Sequence, residues 1–190
     1  MRTLPLILAA WAILASVFGA ASPLAASAAD ASDEAAEDPG RLDLQVALGF
    51  DIFPERYTCD GEDLSPPVEI SGLEGSVASI AMILEDPDAP RGPFVHWLIW
   101  NLAPPVSIPE GISPLEEVAA PEALQGRNGF GSIGYRGPCP PPGDPHRYVL
   151  RVFALDSELD LPPGSGRSEL EAAMEGRVLQ SGKAAATYGG

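Results

Sequence analysis

Twenty glycines and twenty-one prolines in 190 residues set the first limit on this chain. An average protein carries about 12% of the two combined, and this one carries nearly twice that. Glycine weakens a helix through lost backbone entropy and proline through its missing N–H, so a predominantly helical fold is excluded. Short apolar runs survive between the breakers. Leu42, Leu44, Val46, Leu48 and Phe50 alternate with smaller or polar residues, the period of a half-buried strand. Residues 79–84 (SIAMIL), 94–101 (FVHWLIWN) and 147–155 (RYVLRVFAL) are denser and rich in β-formers, and read as buried strands. One helix is expected near 168–181. Ser168 and Glu171 form a capping box, Leu170, Met174 and Val178 recur at four-residue spacing, and Gly182 stands as the stop. Residues 113–120 carry a weaker start signal that Pro121 limits to a turn or two. The fold class is mainly β, antiparallel, a sandwich or barrel with a helix at an edge.

The formal charge is −16 and no basic stripe offsets it, so nucleic acid is excluded as a partner. Met1 and Arg2 precede an uncharged apolar run to Ala20, and Ala26-Ser27-Ala28 fits a small-x-small cleavage site. Residues 1–28 therefore read as a secretory signal peptide. The alternative is a transmembrane anchor, for which the run is short. Cleavage near Ala28 would leave an exported chain, periplasmic or secreted, without a stable membrane span. Residues 29–41 (ADASDEAAEDPGR) read as an acidic solvated tail, and 42–190 as one domain. The two cysteines, Cys59 and Cys139, form neither a zinc-ribbon nor a CxxC redox pattern. Export would place them where a disulfide can form; the alternative is two buried free thiols.

Four features carry chemistry. Asp86-Pro87-Asp88-Ala89-Pro90 follows a buried strand, and its prolines stiffen a loop holding two carboxylates; the same pattern also serves as a turn whose aspartates bond their own backbone. His96 lies inside an apolar strand, where a regular pleat would put it on one face with Phe94, Leu98 and Trp100; a histidine so placed also serves as a satisfied core residue. His146 and Tyr148 are two apart at the start of a strand and point to one face. The loop 126–143 (GRNGFGSIGYRGPCPPPG) contains a formal GxGxxG. With no strand before it and no helix after it, the loop is not a dinucleotide site, although its glycines could offer backbone N–H groups to an anion. Two histidines and two aspartates also admit a metal-dependent enzyme, but HxH and HExxH spacings are absent, as is GxSxG.

In this order the stretches 86–90 (DPDAP), 94–97 (FVHW) and 143–148 (GDPHRY) resemble the phosphatidylethanolamine-binding protein (PEBP) family. Residues 57–67 (YTCDGEDLSPP), 126–141 (GRNGFGSIGYRGPCPP) and 187–190 (TYGG) are similar to its bacterial, Raf-kinase-inhibitor-like (YbhB/YbcL) branch. The resemblance implies an antiparallel two-sheet β fold with peripheral short helices. It implies a non-enzymatic protein, without cofactor, whose small pocket binds phosphate-like anions or phospholipid head groups. Asp86, Asp88, His96 and His146 would lie in the pocket, Pro87 and Pro90 in its wall, and Gly137, Pro138 and Tyr148 at its rim. Bacterial relatives imply a homodimer. An inhibitor or interaction protein that meets a protein partner through the pocket loops is the second reading. Two aspartates beside two histidines are expected to raise the histidine pKa values and favour anion capture below neutral pH. Replacement of His146 by Ala is expected to change affinity far more than stability.

Overall fold

The computed structural model describes residues 44–104 and 107–189. The signal peptide expected at 1–28, the acidic tail expected at 29–41 and the first residues of the strand expected from Leu42 lie outside the described residues. The described elements are β1 (Gln45–Ala47), a 3-10 turn (Glu55–Tyr57), β2 (Val68–Ser71), β3 (Ser79–Asp86), β4 (Phe94–Leu102), β5 (Ser107–Ile108), β6 (Glu117–Ala119), β7 (Glu122–Gln125), β8 (His146–Leu155), α1 (Arg167–Met174) and β9 (Val178–Tyr188). They form two sheets with antiparallel pairing throughout: β1-β2-β5, and a larger sheet ordered β6-β7-β4-β3-β8-β9.

The large sheet is covered on both faces, which explains why β3 is apolar without alternation and buried along all eight residues. Met82, Leu84, Trp97, Ile99, Leu150 and Val152 share a core with Val68, Ile70 and Ile108 of the small sheet. Ala81, Ile83, Leu98 and Trp100 face the other way, onto Leu170 and Met174 of α1. Each fully buried aliphatic side chain contributes about 1.5–3 kcal/mol. Glu85, on the α1 side, is buried yet paired: Arg151 donates to it through Nε (2.8 Å) and Nη2, and Arg167 through Nη1 (2.6 Å). Arg167 is the first residue of α1, so this cluster fastens the helix to the end of β3.

The helix is shorter than its periodicity suggests. It ends at Met174, Gly176 turns the chain at φ 74°, and Val178 already belongs to β9. Gly166, not Ser168, is the N-cap, and Glu171 accepts from Arg167 Nε (2.8 Å) instead of completing a capping box. Gly182 is no helix stop. It sits inside β9, where a Cβ would come within 2.3 Å of the Leu44 carbonyl oxygen, so the absent side chain lets the 44–48 segment close onto the sheet. Residues 113–120 contain no helical turn; β6 and β7 form a hairpin around a cis Ala120–Pro121 bond. No helix among the described residues is long and apolar enough to cross a membrane.

Candidate functional site

Topology alone brings the site together. β3 lies between β4 and β8 and runs antiparallel to both, so its last residue meets the first residues of each neighbour. Asp86 pairs with Phe94 across the ladder, and Glu85 with Val149, one step beyond Tyr148. Residues 60 positions apart thus converge.

His96 reaches this point through a β-bulge. Leu84 pairs with Trp97 and Glu85 with Val95, which leaves His96 as the extra residue of β4. The bulge breaks the regular alternation. His96 therefore does not share a face with Leu98 and Trp100, which belong to the α1 side; its ring packs edge-on against Phe94, Phe130 and Tyr148, at centroid distances of 5.5, 5.5 and 5.2 Å. His96 Nδ1 donates to the Arg136 carbonyl (2.6 Å), and the Arg136 N–H donates back to the His96 carbonyl (3.0 Å). A carbonyl can only accept, so the proton is fixed on Nδ1 and Nε2 presents a lone pair in the neutral ring.

His146 and Asp86 form a partly buried pair, Nδ1 to Oδ2 at 2.7 Å, with side chains 13% and 6% exposed. Oδ1 of Asp86 accepts the Asp88 N–H (2.9 Å), so the DPD turn has both characters at once, backbone-capping and site-forming. Asp88 itself turns outward. Its carboxylate takes the Arg147 N–H, Nε and Nη2 at 2.9, 3.0 and 2.8 Å. Pro87 is half-buried and Pro90 exposed, on either side of it. Tyr148 lies beside His146 on the inner face, 0% exposed, and its hydroxyl has no hydrogen-bond partner among the described residues. The Cys139 N–H lies near enough to favour the phenolate without making a hydrogen bond of ordinary geometry. Burial, and then the Asp86 charge, push the phenol well above its ordinary range, so Tyr148 remains a donor.

The 135–139 loop packs beside His96. Gly137 donates to Asp63 Oδ1 (2.7 Å) and Pro138 accepts from the Cys59 N–H (3.0 Å). A Cβ on Gly137 would lie 2.3 Å from the Tyr57 carbonyl oxygen, so glycine is there for close approach of two backbones. Cys59 and Cys139 are joined by a disulfide with Cα atoms 5.4 Å apart. The glycine-rich loop does not offer its N–H groups outward. Those of Gly126, Gly129, Gly131 and Gly134 donate to Leu98, Val95, Asn128 and Gly126. Asn128 organises that loop, accepting from Phe130 and Ser132 and donating to Gly134. The sequence reading passed over Asn128, Asp63 and the Phe94–Phe130 pair that walls His96; the asparagine among glycines was the one local signal available.

Among the described residues, no three His, Cys, Asp or Glu side chains gather closely enough to hold a metal ion. A separate groove of about 420 Å³, lined by residues 46–51 with Ala184 and Ala185, contains none of the expected site residues.

The pKa of His96 moves opposite to the sequence-based expectation. Burial is the largest cause and lowers it below 6.5, although Asp86 and Asp63 pull upward. Asp88 is held down at about 2 by Arg147, against 3.8 in the unfolded chain. The signs define two acid windows. Below pH 6.5 the unfolded chain takes up a proton that the folded His96 resists, so stability falls. Asp88 adds stability above pH 3.8, and this is lost as pH drops from 3.8 toward 2. Urea unfolding from pH 8 to pH 3 is expected to show a decline beginning near pH 6.5 that His96→Gln removes; an identical upper decline in the variant would assign it elsewhere.

The fold and site define a two-sheet antiparallel β protein whose central strand ends in a largely buried Asp–His–Tyr cluster. The chain matches the family described as phosphatidylethanolamine-binding protein over residues 45–189. A UPF0098 protein of Pyrococcus horikoshii is 48% identical over 153 residues, 78% of this chain and 77% of that one. A UPF0098 protein of Chlamydia muridarum is 39% identical over 141 residues, 72% of this chain and 89% of its own length. The crystal structure of CT736 from Chlamydia trachomatis, described as a PEBP homolog, superposes with a TM-score of 0.70 at 33% identity, covering 78% of this chain and 99% of that one. Escherichia coli YbcL gives a TM-score of 0.70 at 27% identity, covering 77% and 98%. The chain belongs to the phosphatidylethanolamine-binding protein family.

Proposed function

We propose that this chain is an exported, non-enzymatic binding protein whose pocket at the junction of β3, β4 and β8 takes a small phosphate-like anion or a phospholipid head group. One observation carries the reading: the Tyr148 hydroxyl, fully buried beside Asp86 and His146, has no hydrogen-bond partner among the described residues. An unsatisfied buried hydroxyl costs about 1–3 kcal/mol, a cost that a ligand oxygen would offset. The side chains around it are already paired with one another, His146 with Asp86 and His96 with the Arg136 carbonyl, which suits holding a ligand more than attacking one. Export rests on the N-terminal pattern, with mature protein beginning near Ala29.

The test is Tyr148→Phe, whose two effects should have opposite signs. Removing the hydroxyl is expected to raise stability by about 1 kcal/mol, because it deletes an unpaired polar group. Affinity for inorganic phosphate or phosphoethanolamine, measured calorimetrically, is expected to fall about fivefold to tenfold. Unchanged affinity in the variant, or no binding by the parent chain, would remove the anion-pocket reading.

A further inference from the structure

We propose that the pocket accepts oxyanions only together with a proton, so that it selects phosphate monoesters and rejects sulfate of the same shape and charge. This deepens the anion-pocket reading and rests on it.

The argument is an inventory of donors and acceptors. Both histidines have their Nδ1 protons committed, one to the Arg136 carbonyl and one to the Asp86 carboxylate. Each neutral ring therefore turns a bare Nε2 lone pair to whatever else it meets. Among the described residues no hydrogen bond of ordinary geometry holds Nε2 of His96, although the Gly137 backbone lies near enough to the ring to favour its protonated form. The Asp86 carboxylate, itself an acceptor, is the charge closest in effect to both His96 and Tyr148. Against these acceptors stands the Tyr148 hydroxyl, a donor without a partner.

The surrounding charges do not change the balance. Asp88 is matched by Arg147, and Asp63 faces Arg136 at 3.9 Å while accepting the Gly137 N–H. Arg136 otherwise lies over the Phe130 ring, 4.8 Å from its centroid. The pocket floor, made of Asp86, His96, His146 and Tyr148, is thus poor in donors and carries no surplus positive charge. A fully ionised oxyanion would face lone pairs with lone pairs. A monohydrogen phosphate ester, R–O–PO₃H⁻, supplies one P–O–H for an acceptor and keeps oxygens for Tyr148. One proton therefore enters with the ligand. Sulfate cannot carry one near neutral pH and offers nothing to Nε2 of His96.

The chemistry is the same for a soluble phosphate monoester and for phosphatidic acid at a membrane, so the experiment needs both. The full chain is titrated at pH 7.5 with glycerol 3-phosphate and with sulfate, in two buffers of different ionisation enthalpy. The ester has a second pKa of about 6 and is mostly dianionic there, so uptake close to one proton is expected. The ester is expected to bind at least tenfold tighter than sulfate. In His96→Gln an amide that can donate replaces the lone pair, and the preference should narrow at least threefold, with thermal unfolding of the variant checking that it folds. Vesicles of phosphatidylcholine with and without phosphatidic acid identify the source: sedimentation with the doped vesicles alone marks the lipid, and none marks the soluble ester. Equal binding of ester and sulfate without proton uptake overturns this inference and leaves the anion pocket standing. An undiminished preference in His96→Gln overturns the role given to its Nε2. Absence of binding by both anions removes the pocket reading itself.

Discussion

Replacing Cys59 and Cys139 together by serine should cost the folded chain about 4–5 kcal/mol, the loop-closure value for a cross-link spanning 80 residues. For a domain of this size that corresponds to a drop of roughly 10–15 °C in Tm. Anion affinity should stay within about twofold. The reason for the split is local. The 57–63 and 135–139 segments are joined independently by the Cys59 N–H to Pro138 carbonyl bond (3.0 Å), the Gly137 N–H to Asp63 bond (2.7 Å) and the Tyr135 hydroxyl on the Tyr57 carbonyl. Those bonds hold the loop in the folded state, while the disulfide acts chiefly on the unfolded chain. Urea unfolding with and without reductant measures the first effect and phosphate titration of the double variant the second. An unchanged midpoint would mean that the unfolded chain gains nothing from being opened. A lost affinity would mean that the bridge itself shapes the pocket.

The strands that carry the site were readable because β3 and most of β4 are buried on both faces and β8 is half-buried on its outer face, and such strands appear as dense β-branched and aromatic runs. That is why residues 79–84, 94–101 and 147–155 map onto β3, β4 and β8 to within two residues at each end. β9 escaped because an edge strand of small and polar residues, VLQSGKAAATY, has neither density nor alternation, and its long pairing with β8 supplies what its propensity lacks. The helix was overextended because Val178 continues a four-residue spacing by coincidence, whereas the left-handed turn at Gly176 decides where it stops. Asp86, His146 and Tyr148 follow from ordinary strand geometry once β3 is known to be central, but no local pattern states that β3 is central. His96 was visible as a residue and not in its orientation, because a one-residue bulge leaves no mark in the sequence and reverses which face a side chain takes.

The structure also changes what should happen when His146 is removed. A pocket histidine on an open surface would matter to binding and little to stability, and His146 was expected to behave so. Its partner Asp86 is only 6% exposed, and Oδ2 has His146 Nδ1 as its bond at 2.7 Å. His146→Ala therefore strands a buried carboxylate oxygen. Breaking a fully buried pair costs about 3–5 kcal/mol. Here the deleted ring is 13% exposed and leaves space that water can enter, so about 2–3 kcal/mol is expected. Affinity for a phosphate ester should fall about tenfold to a hundredfold through loss of the Nε2 hydrogen bond to the charged ester, worth about 1.5–3 kcal/mol. A fall in both quantities would not by itself separate contact with ligand from support of Asp86. His146→Asn does separate them. The asparagine amide nitrogen stands near the position of Nδ1 and can still donate to Asp86, but nothing replaces Nε2. It should recover most of the stability while binding as weakly as His146→Ala. Recovery of affinity together with stability would show that His146 only holds Asp86 in place, and the ligand-facing role of its Nε2 would then be lost.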